Sequence, residues 1–121
     1  MKRSMMQMYV KNSGDAVEFY RKAFSAELLC AYPDDNGGYM HSELNAFGQI
    51  LAVSEATDDS IIGNNMQFCL HFEENEIEKV KHAYKVLGDG AKIVSPIGEC
   101  PFSKCMFALI DKFGVSWCIF N

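Results

Sequence analysis

No apolar run in this sequence approaches the ~20 residues a membrane span needs, so a spanning helix is excluded. Lys and Arg nowhere cluster beyond pairs such as Arg21-Lys22. A nucleic-acid binder needs a basic face to displace counterions from phosphates, and a chain of formal net charge −5 without one is expected to have no nucleic-acid partner. There is no C-x-x-C pair, and Cys100 and Cys105 do not read as a zinc knuckle. The cysteines are Cys30, Cys69, Cys100, Cys105 and Cys118, an odd number that argues against a disulfide framework. Phosphate loops are missing as well, because Gly88-Asp89-Gly90 follows a helical pattern instead of opening one. The start, Met1-Lys2-Arg3-Ser4, is basic, but the mixed segment Met5-Met6-Gln7-Met8-Tyr9-Val10 behind it lacks the apolar stretch of a signal peptide. A cytoplasmic location and no membrane partner are therefore expected.

What is present is the composition of an ordinary globular domain. The 121 residues are 49% hydrophobic and 22% charged, long enough to bury a real core within one domain spanning 1–121. Met5 to Val10 reads as a strand that stops at Lys11-Asn12-Ser13-Gly14-Asp15. Ala16, Val17, Tyr20, Ala23 and Phe24 then fall at the spacing of one buried helix face, with Ser13 or Asp15 as the expected N-cap. Strands follow at Glu27–Tyr32, Tyr39–Asn45 and Gln49–Ser54, the first two separated by the turn Pro33-Asp34-Asp35-Asn36-Gly37-Gly38.

The second half repeats this plan. Met66–Phe72 is an expected strand, and Glu73-Glu74-Asn75 starts a helix whose inner face is Ile77, Val80, Tyr84 and Leu87. Ala91–Ser95 reads as a strand closed by Pro96, followed by strands Phe102–Ile110 and Val115–Phe120. Met6-Gln7 recurs as Met66-Gln67, Val17 as Ile77 and Ala23-Phe24 as Ala83-Tyr84, all at one offset of about 60 residues. The order β-α-β-β-β thus occurs twice, in modules 1–56 and 65–121. Neither half looks able to cover its own sheet, which favours one shared core.

Two motifs carry a resemblance to a known family. Tyr9-Val10-Lys11-Asn12-Ser13-Gly14-Asp15-Ala16-Val17-Glu18-Phe19-Tyr20 resembles the opening strand, turn and A-x-x-F-Y helix of the vicinal-oxygen-chelate superfamily of glyoxalases, bleomycin-resistance proteins and dioxygenases. Asp111-Lys112-Phe113-Gly114-Val115-Ser116-Trp117 resembles its closing D-P-x-G-x-x-W hairpin, with Lys112 where the family has proline. Met40-His41-Ser42-Glu43-Leu44 and Phe102 resemble the PhnB-like subgroup. The resemblance implies an α+β, glyoxalase-like fold, in which two tandem β-α-β-β-β modules form a curved sheet around a cleft, and a homodimer.

The resemblance also implies where a metal would sit in metal-dependent relatives, which take ligands from the first, fourth, fifth and eighth strands. Those positions correspond here to Met5, about Ala52, Gln67 and Cys118. A thioether, a methyl, an amide and a thiol do not form the His and carboxylate set that a hard or borderline cation needs. No metal and no cofactor are expected.

Strand alternation sorts the remaining candidates. Met5, Gln7 and Tyr9 on the first strand, Gln67, Cys69 and His71 on the fifth, and Cys118 and Phe120 on the last fall on the face away from the helices. With Phe102 they form the expected ligand-binding set, a mixture of aromatic, thiol, amide and imidazole groups suited to an apolar or aromatic small molecule. His71 reads either as a half-solvated strand-end residue or as a general base or hydrogen-bond donor. His41, beside Glu43, could face either way, and His82 lies mid-helix among charges. Cys118 is a conceivable nucleophile only with a base or cation beside it, so it and Cys69 read first as inert thiols. Glu55 is a lone carboxylate that would rejoin the family's site only with a register slip. The function expected is metal-free binding of a small apolar or aromatic ligand in the cleft. A lyase or isomerase of the same superfamily is the alternative, and a non-catalytic interaction subunit a third reading.

Overall fold

Alternating apolar residues and well-placed turns produce eight strands and two helices in the computed structural model, which describes residues 1–121. The chain divides into two compact units, Met1–Ile61 and Ile62–Asn121. In the first, β1 (Met6–Val10) leads into α1 (Ser13–Phe24), then β2 (Glu27–Pro33), β3 (Tyr39–Ala46) and β4 (Gln49–Glu55). In the second, β5 (Phe68–His71) is followed by a 3-10 turn at Glu74–Glu76, α2 (Ile77–Leu87), β6 (Lys92–Cys100), β7 (Ser103–Ile110) and β8 (Ser116–Phe120).

Each unit holds a four-stranded sheet with the same plan. The orders are β1-β4-β3-β2 and β5-β8-β7-β6, so the outer parallel pairs β1–β4 and β5–β8 correspond. The repeat read from the sequence is therefore a repeat of topology, and the α+β glyoxalase-like architecture of two tandem β-α-β-β-β modules is the observed one.

One face of each sheet is covered by its own helix. Ala16, Val17, Tyr20, Ala23 and Phe24 are all buried, as their spacing requires, and α1 packs on β1, β3 and β4. Met8, Val10, Leu44, Leu51 and Val53 meet them from the sheet. In the second unit Val80, Ala83 and Leu87 of α2 are buried, as are Phe107, Leu109, Trp117 and Ile119 of the sheet.

Several boundaries differ from the sequence reading, each for a local reason. Neither Ser13 nor Asp15 caps α1. Asn12 stands at the N-cap in the left-handed conformation (φ 60°) and makes no side-chain cap. Glu55, at the end of β4, caps the helix instead: its Oε1 accepts from the Ser13 N–H at 2.9 Å and its Oε2 from the Asn12 N–H at 3.1 Å. The Ser13 hydroxyl also donates to Glu55 Oε1 at 2.7 Å and accepts from the Tyr39 N–H at 2.8 Å. Glu55 is thus a structural carboxylate and does not join the open face of the sheet.

Pro96 does not close its strand. β6 runs through it from Lys92 to Cys100, because β6 is an edge strand and its register with β7 shifts between Ser95 and Gly98. A proline lacking its N–H is tolerated at such a bulge on an edge. β5 is shorter than expected: Met66 and Gln67 lie outside it, and Gln67 is tied to β8 only through its side chain, 3.3 Å from the Ser116 hydroxyl.

The D-x-x-G-x-x-W hairpin shows why its residues occur together. Buried Asp111 accepts from the N–H groups of Phe113 at 2.9 Å and Val115 at 3.0 Å, fixing the turn. Its second oxygen accepts from the Trp117 indole at 2.9 Å, anchoring a ring that has no exposed surface. Gly114 takes φ +87°, a conformation that favours glycine, with Ile62 packed close against it. Lys112 needs no proline geometry here; it reaches toward Asp89, 3.6 Å away.

Candidate functional site

The face of each sheet away from its helix carries the candidate chemistry, and cross-strand register determines which side chains are neighbours. On the first sheet Gln7 lies opposite Ala52, Ala52 opposite Glu43, and Glu43 opposite Cys30, forming one row across β1, β4, β3 and β2. Directly opposed residues share a face, so all four point away from α1. His41, two residues before Glu43 on β3, joins them.

Glu43 is the centre of this row. It is buried, yet it is fully satisfied: Arg3 Nη1 donates to one of its oxygens at 2.6 Å and Nη2 to the other at 2.8 Å. His41 Nε2 stands 2.9 Å from Oε1. Hydrogen bonds from Arg3 and then His41 lower the Glu43 pKa from 4.5 to about 2, against the opposing effect of burial. The same pairing raises the Arg3 pKa. Cys30 completes a group with His41 and Glu43 in which one ligating atom from each lies within 4.8 Å of the others. Tyr32 stands over His41, ring centroids 6.3 Å apart.

The sequence-predicted residues of this unit lie on or beside β1. Gln7 donates to the Ser54 hydroxyl at 3.1 Å and is half-buried. Tyr9 is exposed, and Met5 lies just before β1, half-buried.

On the second sheet the predicted residues gather into two adjoining patches. Cys69 lies opposite Cys118 and His71 opposite Phe120 along the parallel β5–β8 pair. His71 and Phe120 stack with ring centroids 4.4 Å apart, and Phe102 meets Phe120 edge-on at 5.4 Å. Phe102 keeps 64% of its surface exposed, and His71 and Cys69 are exposed too. Cys118 is not activated: burial first, and then the neighbouring Cys69 and Cys100 groups, push its thiol up to about 11. Cys118 is half-buried and Cys69 exposed.

The residues at the family's metal positions do not fit a metal. Ala52 offers only a fully buried methyl, the Gln67 amide is engaged with Ser116, and Cys118 holds its proton well above neutrality. Sequence reasoning passed over the group of Arg3, Cys30, His41 and Glu43 instead. Its one legible signal was the spacing His41-x-Glu43, which places both side chains on the same strand face. Nothing in the sequence signals that Arg3 and Cys30 reach the same point, because that is a matter of register. A separate groove of about 370 Å³ at the start of α1 is lined by acidic Asp15, Asp34 and Glu55, the last of which already serves as the helix cap.

Comparison with known proteins agrees with this architecture. The PhnB protein from Bacillus cereus superposes with a TM-score of 0.80 at 23% identity, over 99% of this chain and 98% of that one. Protein PA1353 from Pseudomonas aeruginosa gives 0.81 at 16% identity, over 99% and 97% of the two chains. The fosfomycin resistance protein FosX from Listeria monocytogenes, in a structure with Mn(II) and 1S,2S-dihydroxypropylphosphonic acid, gives 0.68 at 12% identity, over 98% and 87%. At these identities the likeness is one of fold. No curated protein matches the sequence. The family model for Glyoxalase/Bleomycin resistance protein/Dioxygenase matches residues 3–119, nearly the whole length of both modules, and the chain belongs to that superfamily.

Proposed function

We propose that this protein binds a small ring-bearing molecule on the open face of its second sheet, without a metal at the positions that metal-dependent relatives use. The observation that carries the reading is the aromatic platform of His71, Phe120 and Phe102, already arranged in stacked and edge-on contact while Phe102 stays mostly exposed. Aromatic rings prefer these two geometries, and a further ring can add to them at about 0.5–1.5 kcal/mol beyond area burial. The His71 imidazole at the end of the stack supplies a polar handle for the ligand. Burial pushes the Cys118 thiol up to about 11, so its thiolate is scarce at neutral pH and it is assigned no nucleophilic role in this reading.

The test uses 1-anilinonaphthalene-8-sulfonate as the ring-bearing probe. Saturable fluorescence enhancement is expected for the native protein and its loss for Phe102→Ala, whose exposed side chain can be removed without unfolding the chain. Equal saturable binding by the variant would refute the assignment. The proposal includes a homodimer, supported by the exposed apolar Leu29 and Tyr32 on edge strand β2, and sedimentation equilibrium checks it.

A further inference from the structure

We infer that Cys30, His41 and Glu43 form a binding site for a zinc-class divalent cation on the open face of the first sheet, with Arg3 neutralising Glu43 until the cation displaces it. This goes beyond the aromatic-ligand reading and lies in the other unit, so each can fail without the other.

The donor set is the first argument. A thiolate, an imidazole and a carboxylate are the three ligand types that borderline cations take together, and three protein ligands leave a fourth position for water or substrate. Calcium and magnesium, which want oxygen ligands, are poorly served by it.

Geometry is the second argument. Cys30 and Glu43 are directly opposed in the antiparallel β2–β3 pair, and His41 lies one pleat along β3. All three side chains therefore start from backbone fixed by sheet hydrogen bonds. Their ligating atoms already lie within 4.8 Å of one another. Tetrahedral zinc with bonds of about 2.0–2.3 Å places ligand atoms roughly 3.5 Å apart. The remaining contraction, at most about 1.3 Å, is within reach of side-chain torsions alone. His41 and Glu43, at 2.9 Å, would instead part slightly around the ion.

Charge is the third argument. Glu43 is buried and both of its oxygens accept from the Arg3 guanidinium, at 2.6 and 2.8 Å, so the site is built around a positive partner. Arg3 provides one now, from a side chain that is 45% exposed and can swing into water. A divalent cation would take over that role and offset both Glu43 and the Cys30 thiolate. The fourth residue of the row, Ala52, offers only a methyl and so no competing ligand at that position.

The experiment is titration of the chelator-treated protein with Co²⁺, followed by competition with Zn²⁺. The expected result is one equivalent bound per chain, with a thiolate-to-cobalt charge-transfer band that zinc abolishes. Cys30→Ser, which removes only a half-exposed sulfur and leaves the sheet intact by circular dichroism, is expected to lose the band and to weaken binding at least about a hundredfold. Arg3→Ala is expected to tighten binding about fivefold, because it removes the competing ion pair. A purely structural Arg3–Glu43 pair makes the opposite prediction, since its loss would loosen the cluster. Absence of the band in the native protein, unchanged cobalt binding in Cys30→Ser, or weaker binding in Arg3→Ala would each overturn the assignment.

Discussion

Asp111 lends itself to a quantitative test because its hydrogen bonds can be removed separately. The substitution Asp111→Asn keeps one oxygen for the turn N–H groups of Phe113 and Val115 but turns an NH₂ toward the Trp117 indole. That indole has no exposed surface, so water cannot replace the lost acceptor. A buried donor left without a partner costs about 1–3 kcal/mol, and the lost bond is to a charged group, which places the expected loss near 2–3 kcal/mol. Asp111→Ala adds the loss of the two turn bonds, at about 0.5–1.5 kcal/mol each in their half-exposed setting, for a total of about 3–6 kcal/mol. The chain has one tryptophan, so urea unfolding followed by its fluorescence reports this unit specifically. A double-mutant cycle with Trp117→Phe, read by circular dichroism, should give a coupling energy of about 1–3 kcal/mol. Destabilisation below about 0.5 kcal/mol in Asp111→Asn, or no coupling in the cycle, would show that the motif owes its occurrence to something other than this bond.

Three further outcomes are expected. Glu43 has its pKa lowered in the folded state to about 2, so its pairing stabilises the protein above the unfolded value near 4.5 and is lost as pH falls through 2. Allowing for solvent around Arg3, this is worth about 1 kcal/mol; the urea midpoint of the native protein should fall toward that of Glu43→Gln between pH 4.5 and 2, and a gap independent of pH would contradict it. Removing the helix cap by Glu55→Ala should cost about 1–2 kcal/mol and speed amide exchange in the first turn of α1; unchanged exchange there would show that Asn12 and Ser13 suffice. At pH 7.5, a disulfide reagent followed by mass spectrometry should label exposed Cys69 well before Cys118, whose thiolate is scarce with a pKa pushed up to about 11, and the reverse order would refute the assigned environments.

Local pattern in the chain was enough to mark out the elements and the faces of the first helix and strands. The spacing of Ala16, Val17, Tyr20, Ala23 and Phe24 names helix residues that the structure buries. Such patterns are local, since burial against one neighbouring layer constrains residues at a fixed period. The doubled order of elements was legible for the same reason, and the identical strand orders follow from it. Local pattern did not reveal where a strand tolerates a proline, because that depends on whether the strand is at an edge, as β6 is. Nor could it assign Glu55, which caps α1 across more than 40 residues of chain.

Which side chains stand beside one another depends on long-range pairing. Arg3 and Glu43, 40 residues apart, are joined by two hydrogen bonds, and Cys30 faces Glu43 only because β2 and β3 pair in that register. A one-residue slip would send Cys30 to the other face and dissolve the cluster. Register is fixed by the sum of packing and turn geometry over the whole sheet, a quantity no short stretch of sequence contains.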